Sequence, residues 1–450
     1  MVRIYFDSDV INNLRDGNKP ELKELIDLHR DRLLIPYSDA HINDKLPSKE
    51  KAEELFWIDI DFITEFTKSK YLQQDEKAGC AKPFVATARE VYNGIVENEG
   101  IVNDFLDMDK MIAFLESTSK DLGIPEAADL FKSVMNEEVP NPDDSTKKIL
   151  YKDQLQKTAS HIQGILNDPK AYKDSRDKMW ENYKLPKDAS NWNENVIDNI
   201  DQHLKDKGVA ESLTAMIDVS MKDKKKVNNF DYFFSSYLML NYVGYNPDEI
   251  NVKRNRGMSN HMQDAKHAFY GANCDYFVVM DKKLRKKTKA LYDKFNIRTK
   301  ILSPEEMVIQ LNNILSNDNI SEAFNVIGRS VPVDELEEDG IKKYQYRLDV
   351  RFLDYFTHLQ LETGYPNDGR ILLFSKPLLN YANYMFYEEF DAVVEKVNNL
   401  FGGGVNTQEV INEFRSFTDD YHIKTYVLSE NVMVKLGVDT INFYLYITII

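Results

Sequence analysis

The first residues of the chain constrain its fold more than any other segment. A short apolar and aromatic run, Val2–Phe6, stops abruptly at the acidic residues Asp7 and Asp9, and apolar residues then recur at helical spacing. This order predicts a strand, an acidic turn and a helix. A second helix with Pro20 in its first turn follows, and residues 33–36 form another short strand. The chain therefore opens as an α/β unit.

The α/β pattern returns more than 200 residues later. We expect a helix from Asp264, a buried strand at residues 276–280, a basic helix from Lys282 and a strand at residues 297–302. Between the two halves, long Lys- and Glu-rich segments carry apolar residues three and four apart, which predicts helices. The predicted fold class is α/β with a central parallel sheet. Its parts are a first half at 1–48, a helical insertion at 49–225, a second half at 226–316 and a C-terminal acidic α/β region at 317–450.

Within the C-terminal region we expect helices near residues 350–361 and 377–400. Residues 320–450 hold 11 basic and 20 acidic side chains, and so supply −9 of the formal charge of −17. That charge excludes a uniformly basic protein that coats nucleic acid. Cys80 and Cys274 are too few and too far apart for a zinc cage or a disulfide framework, which favours a reducing cytoplasm. The sequence has no apolar run of roughly 20 residues, so we expect no membrane partner.

Four acids fall where strands end or helices begin: Asp7, Asp44, Asp264 and Asp281. Open parallel sheets build sites at the carboxyl ends of their strands. One such Asp is usually only a helix cap, but four at one sheet edge repel one another unless cations bind them. Their oxygen ligands indicate Mg²⁺ or Mn²⁺. Asp9 is a fifth candidate ligand, with a helix cap as the alternative.

Residues 5–10, Tyr-Phe-Asp-Ser-Asp-Val, resemble the opening of a PIN domain nuclease. Residues 264–268, Asp-Ala-Lys-His-Ala, and 274–284, Cys-Asp-Tyr-Phe-Val-Val-Met-Asp-Lys-Lys-Leu, resemble its closing half. The resemblance covers about 140 residues. It implies a PIN-like three-layer fold and a metal-dependent endoribonuclease that leaves 5′-phosphate and 3′-hydroxyl ends, often as a toxin or an antiviral defence effector.

Carried over to this sequence, the resemblance makes Asp7, Asp44, Asp264 and Asp281 the catalytic, metal-holding acids. Two departures stand out. The second acid is usually a glutamate and is here Asp44, and the family's frequent Thr or Ser two positions before the last acid is here Val279.

RNA phosphates need cations in an acidic protein, and residues 281–300 hold nine basic side chains against two acidic ones. A solvated helix face is the alternative explanation for this run. His267 lies one helical turn after Asp264 and is predicted to contact either substrate phosphate or a carboxylate, with a purely structural hydrogen bond as the alternative. Ser8 is a further candidate, with a turn role as its alternative. The full set of predicted substrate contacts is Ser8, Lys253, Arg254, His267, Lys282, Lys283, Arg285 and Lys286.

Two other functions remain open from the sequence. Phosphatases resembling the haloacid dehalogenase family also begin with a strand and Asp-x-Asp-x-Val. In such an enzyme Asp7 would be a nucleophile and Asp9 a general acid/base, and Ser38 and a lysine would hold the phosphate. The chain is alternatively an inert PIN-fold scaffold. For the nuclease, the predicted partners are RNA, together with a regulatory protein or a second copy of the chain, and the C-terminal region restrains or directs the activity.

Overall fold

A computed structural model describes residues 1–75, 79–106, 133–141, 144–157, 160, 168–209, 212–220, 229–250, 258–315, 328, 332–377, 381–382, 384–439 and 441–450. Over these residues the protein is mixed α/β. The strands are β1 Val2–Phe6, β2 Leu33–Leu34, β3 Tyr37–Ser38, β4 Lys70–Gln74, β5 Ala81–Val85, β6 Glu138–Asn141, β7 Asp144–Leu150, β8 Tyr276–Val278, β9 Lys300–Leu302, β10 Asp334–Glu338, β11 Ile341–Phe352, β12 Phe356–Thr363, β13 Arg370–Ser375, β14 Tyr421–Ser429, β15 Val432–Asp439 and β16 Phe443–Ile449.

The described α-helices are α1 Ser8–Arg15, α2 Pro20–Leu28, α3 Asp39–Asn43, α4 Leu46–Lys49, α5 Glu53–Thr67, α6 Ala88–Leu106, α7 Pro169–Tyr183, α8 Val196–Asp206, α9 Leu213–Ser220, α10 Phe230–Val243, α11 Met258–Gly271, α12 Lys282–Lys294, α13 Pro304–Leu315, α14 Tyr387–Phe401 and α15 Thr407–Arg415. Short 3-10 helices span Lys187–Asn191 and Pro366–Asp368. None of the helices in these segments is both long and apolar enough to cross a membrane.

A parallel sheet in the order β2-β1-β8-β9 joins the two halves of the α/β unit. Side chains alternate across β1, so Tyr5 packs into one core and Ile4 and Phe6 into another. The first core includes residues of α10, α11 and α12, and the second includes residues of α1, α2, α5 and α13. Helices therefore cover both faces of the sheet, which explains why β1 is buried along its whole length.

The segment predicted as a helical insertion is mainly helical where the structure describes it. It also contains two antiparallel hairpins that the sequence did not suggest, β4–β5 and β6–β7. The first hairpin extends the α/β unit, because β4 pairs in parallel with β3.

The C-terminal region is built on a seven-stranded antiparallel sheet in the order β10-β11-β12-β13-β16-β15-β14. Val393 of α14 and Phe414 of α15 share its core. The predicted helix at residues 350–361 is wrong, because this segment contains the end of β11, a three-residue turn and most of β12. The helix expected at 377–400 begins only at Tyr387, as α14.

Buried ion pairs join the C-terminal region to the amino end of the parallel sheet. Arg3 of β1 donates to Glu389 of α14 over 2.5 Å. Asp275, directly before β8, lies 3.1 Å from Arg351 and 3.7 Å from Lys376. Burial would raise the pKa of both carboxyls, but these cations outweigh it: the pKa of Glu389 falls to about 2, and that of Asp275 also falls well below its usual range.

Candidate active site

Both β1 and β8 end at the same edge of the sheet because they run parallel. The Asp7 N–H donates to the carbonyl of Val278 over 3.0 Å, so the residues that follow the two strands start side by side. A cavity of about 540 Å³ opens at this edge. We call it the acidic cavity, because seven carboxylates and two lysines line it: Asp7, Asp9, Asp44, Asp248, Glu249, Asp264, Asp281, Lys45 and Lys283. All five acids predicted as metal ligands are among them.

Asp7 occupies the cap position of α1 without a side-chain hydrogen bond to the helix. Its side chain is buried, and Nε2 of His267 lies 3.9 Å from its Oδ1. Burial raises the pKa of Asp7 to about 7; Asp9 and Asp44 add to the rise, and His267 opposes it. The carboxyl is therefore only partly ionised at neutral pH unless a cation joins it.

The pKa of Asp264 on α11 is also raised, and by more than that of Asp7. Burial and the charges of Asp248 and Asp7 raise its pKa well above the usual range, and Lys287 opposes them. Among the described residues, none donates a hydrogen bond to its carboxylate. Lys287 itself is fully buried and forms its ion pair with Asp248 instead.

Asp44, which follows α3, is held by His267. Nε2 of His267 lies 2.9 Å from Oδ2 of Asp44 and 3.1 Å from Oγ of Ser8, and Nδ1 lies 3.0 Å from the Tyr5 hydroxyl. Burial would raise the pKa of Asp44, but the His267 hydrogen bond outweighs it and the pKa is lowered. His267 is 1% exposed and does not line the acidic cavity. The geometry thus favours contact with a carboxylate over contact with substrate for His267.

Asp281 and Asp9 are more exposed. Oδ1 of Asp281 accepts from the backbone N–H groups of Lys283 and Leu284 over 2.6 and 2.8 Å, which is the cap of α12. The cap uses Oδ1 alone, so Oδ2 is available to the cavity. Asp9 lies in the first turn of α1 and lines the same cavity.

A hard divalent ion fits this donor set by chemistry. Carboxylate oxygens are the ligands that Mg²⁺ and Mn²⁺ prefer, and the raised pKa values of Asp7 and Asp264 are those of acids that no cation balances. As the side chains stand, no three His, Cys, Asp or Glu residues of the described ranges are close enough together to enclose an ion. Binding would therefore require the acids to converge from the cavity wall.

Several basic side chains of helix α12 already have partners within the protein. Lys283 lines the acidic cavity, with Nζ 2.9 Å from the Pro247 carbonyl. Arg285 pairs with Glu306, and Lys286 donates to the Ser190 carbonyl over 2.6 Å, so both are occupied within the chain. Lys282 is exposed beside them. Lys253 and Arg254 lie outside the described residues.

Sequence reasoning missed three charged groups of the acidic cavity: Asp248, Glu249 and Lys45. Asp248 follows a loop after α10 and carries no strand-end signal. Lys45 is buried, lies 3.0 Å from Asp59 and also donates to Asn12. Burial and the nearby Arg15 lower the pKa of Lys45 to about 8. No family model, curated protein or solved structure matched the chain significantly.

Proposed function

We propose that the chain is a PIN-type endoribonuclease that uses Mg²⁺ or Mn²⁺ to cleave RNA phosphodiester bonds. One observation carries the proposal: five acids from separate parts of a 450-residue chain line a single cavity at the carboxyl edge of a parallel sheet. Fold stability alone does not require five carboxylates to share one cavity, since like charges held close together cost free energy without a cation. The parallel sheet covered by helices on both faces also supports a PIN-like three-layer fold.

In this proposal Asp7 and Asp264 are the principal ligands, because no described cation neutralises either of them closely. Asp44 is a third ligand whose orientation His267 and Tyr5 fix, and Asp281 contributes its second oxygen. When bound, a divalent ion supplies an activated water and neutralises charge that develops on the phosphate. The protein supplies the acids in one place and keeps the Asp44 carboxylate ionised through His267.

Lys45 and Lys283 are the lysines that can face substrate phosphate in the acidic cavity. Seven carboxylates outnumber them, so the metal-free cavity repels a polyanion. RNA is therefore expected to enter only after metal has bound. This order of binding differs from that of a nuclease which captures RNA on a basic surface first.

The test is RNA cleavage by the full chain with Mn²⁺ or Mg²⁺. We expect 5′-phosphate and 3′-hydroxyl products, and Asp7→Asn or Asp264→Asn should slow cleavage by at least roughly 100-fold, since each removes charge from the metal site. Asp61→Asn is the matched control, because Asp61 is an exposed acid that pairs with Arg89 on another helix. Equal cleavage by the wild type and both site variants would overturn the proposal.

The phosphatase alternative gains no support from the structure. Ser38, its phosphate ligand, is fully buried with Oγ 2.6 Å from the Tyr5 hydroxyl, and it does not line the acidic cavity. Turnover of p-nitrophenyl phosphate that depends on Asp7 would restore it. The scaffold alternative predicts no calorimetric binding of Mn²⁺. A role as toxin or defence effector, and a regulatory partner or self-association, stay predictions.

A further inference from the structure

A second cavity, of about 120 Å³, lies at the other end of the parallel sheet. It is formed where the starts of β8 and β9 meet strands β11 to β13 of the C-terminal sheet. We call it the basic cavity, because five cationic side chains and one carboxylate line it: Arg298, Lys300, Arg347, Arg351, Lys376 and Asp275. Four positive charges are therefore in excess there, in a protein with a formal charge of −17.

The single carboxylate is already occupied. Asp275 pairs with Arg351 and Lys376, and its Oδ2 also accepts from the Arg3 backbone N–H over 2.8 Å. Lys376 has a second acid, since its Nζ lies 3.1 Å from Glu389. Asp275, Arg351 and Lys376 therefore form the buried floor of the basic cavity, and each already has a partner of opposite charge.

Arg298 and Arg347 are different. Both are exposed at the edge of the cavity, and within the described part of the chain neither pairs with an acid. His358 also lines the cavity, and its pKa is lowered mainly by burial and further by the charges of Arg347 and Arg298. Two guanidinium groups therefore converge on one small space without a balancing anion.

We propose that the basic cavity binds a phosphate or pyrophosphate group, either free or at the end of a nucleotide. Guanidinium groups bind phosphate oxygens through paired hydrogen bonds, which makes arginine the side chain suited to such anions. The cavity is smaller than the roughly 300 Å³ at which pockets begin to enclose drug-sized molecules, so it suits the anionic group and leaves a nucleoside outside. The bound anion bridges the α/β unit, through Arg298, to the C-terminal sheet, through Arg347.

This inference does not depend on nuclease activity, and its test avoids the acidic cavity. Calorimetry on the full chain in EDTA compares pyrophosphate, inorganic phosphate, ADP and a short single-stranded RNA. We expect pyrophosphate to bind more tightly than phosphate, with an affinity that falls as salt is added. If ADP binds with the same affinity as pyrophosphate, the cavity accepts the terminal phosphates of a nucleotide. If ADP binds more weakly, the ligand is the free anion. RNA that binds more tightly than either small ligand would overturn the proposal.

The decisive variant is Arg298→Gln with Arg347→Gln, which should weaken pyrophosphate binding by at least about tenfold because both unpaired guanidinium groups are lost. Both side chains are exposed, so the fold should survive, and circular dichroism and the melting temperature confirm it. Arg370→Gln is the matched control, because Arg370 is an exposed arginine of β13 that does not line the basic cavity. Undetectable binding by the wild type, or equal binding by the double variant and the control, would overturn the proposal.

Discussion

Acidic residues flank strands β1 and β8 at both ends of the same sheet, and their pKa values shift in opposite directions at the two ends. At the carboxyl end, Asp7 is 6% exposed and its pKa rises to about 7. At the amino end, Asp275 is 8% exposed and its pKa falls well below the usual range. Burial is therefore nearly equal, and the difference comes from the partners: other acids around Asp7, and Arg351 and Lys376 around Asp275.

This contrast shows two environments for a buried acid. At the amino end, the ion pairs of Asp275 and Glu389 with Arg3, Arg351 and Lys376 hold the C-terminal region to the α/β unit. The carboxyl end leaves like charges facing one another, and such an arrangement is stable only if the rest of the fold supports it or a cation arrives.

The largest expected effect is on stability at the amino end. Glu389→Gln leaves Arg3 buried beside a neutral amide, and loss of one partner of a buried pair typically costs about 3–5 kcal/mol. Urea denaturation would measure this loss. Glu395→Gln, an exposed acid on the same helix, is the control and should change the free energy of unfolding by less than about 0.5 kcal/mol. Similar losses in the two variants would break the contrast between the two ends.

An opposite and smaller effect is expected at the carboxyl end. The pKa of Asp7 is about 7 in the folded protein against 3.8 for a free side chain, so folding favours the protonated form. Its contribution to stability is present below pH 4 and is lost as the pH rises to 7. Asp7→Asn should therefore stabilise the metal-free protein at pH 8 by on the order of 2 kcal/mol.

Denaturation in EDTA at pH 5 and pH 8 would measure this difference, with Asp61→Asn as the control. The contribution of Glu389 to stability has the opposite pH dependence, because its pKa falls from 4.5 to about 2 on folding. Its stabilising contribution is present above pH 4.5 and is lost as the pH falls towards 2. An Asp7→Asn variant that is less stable than the wild type at pH 8 would show that the acids are not in conflict.

The smallest expected effect is the pH dependence of metal binding. With Asp7 as a ligand, as proposed above, Mn²⁺ would bind the ionised carboxylate, so its affinity should rise about tenfold per pH unit between pH 6 and 7 for each proton displaced, and more gradually above that range. Calorimetry at pH 6, 7 and 8 would follow it. Affinity that does not change with pH would mean that Asp7 is not a ligand.

The sequence located much of the acidic cavity because strand ends are visible in it. An apolar run that stops at an acid indicates where a strand ends, and parallel strands end at one edge, so Asp7 and Asp281 were predictable. Asp248 and Lys45 were not, because the loop and the helix end that carry them reach the cavity through tertiary packing alone. The contacts of Lys286 with Ser190 and of Arg285 with Glu306 could not be predicted either, because the partners lie in other segments of the chain.

The missed hairpin at residues 350–361 has a specific cause. Phe352, Tyr355, Phe356 and Leu359 are all buried, and their spacing matches one helix face. Leu353 and Asp354 have positive φ angles of 55° and 56°, which reverse the chain and pair Phe352 with Phe356 across β11 and β12. A tight hairpin thus places neighbouring residues on one face of a sheet with the periodicity of a helix.

The parallel pairing of β1 with β8 also has a consequence in time. Phe6 of β1 pairs with Val278 of β8, so β1 cannot form this pairing until more than 60% of the chain has been synthesised. At roughly 5–20 residues per second, translation takes on the order of 14–54 s to bridge that interval. The acidic cavity cannot form during that interval, because Asp281 has not yet been added to the growing polypeptide.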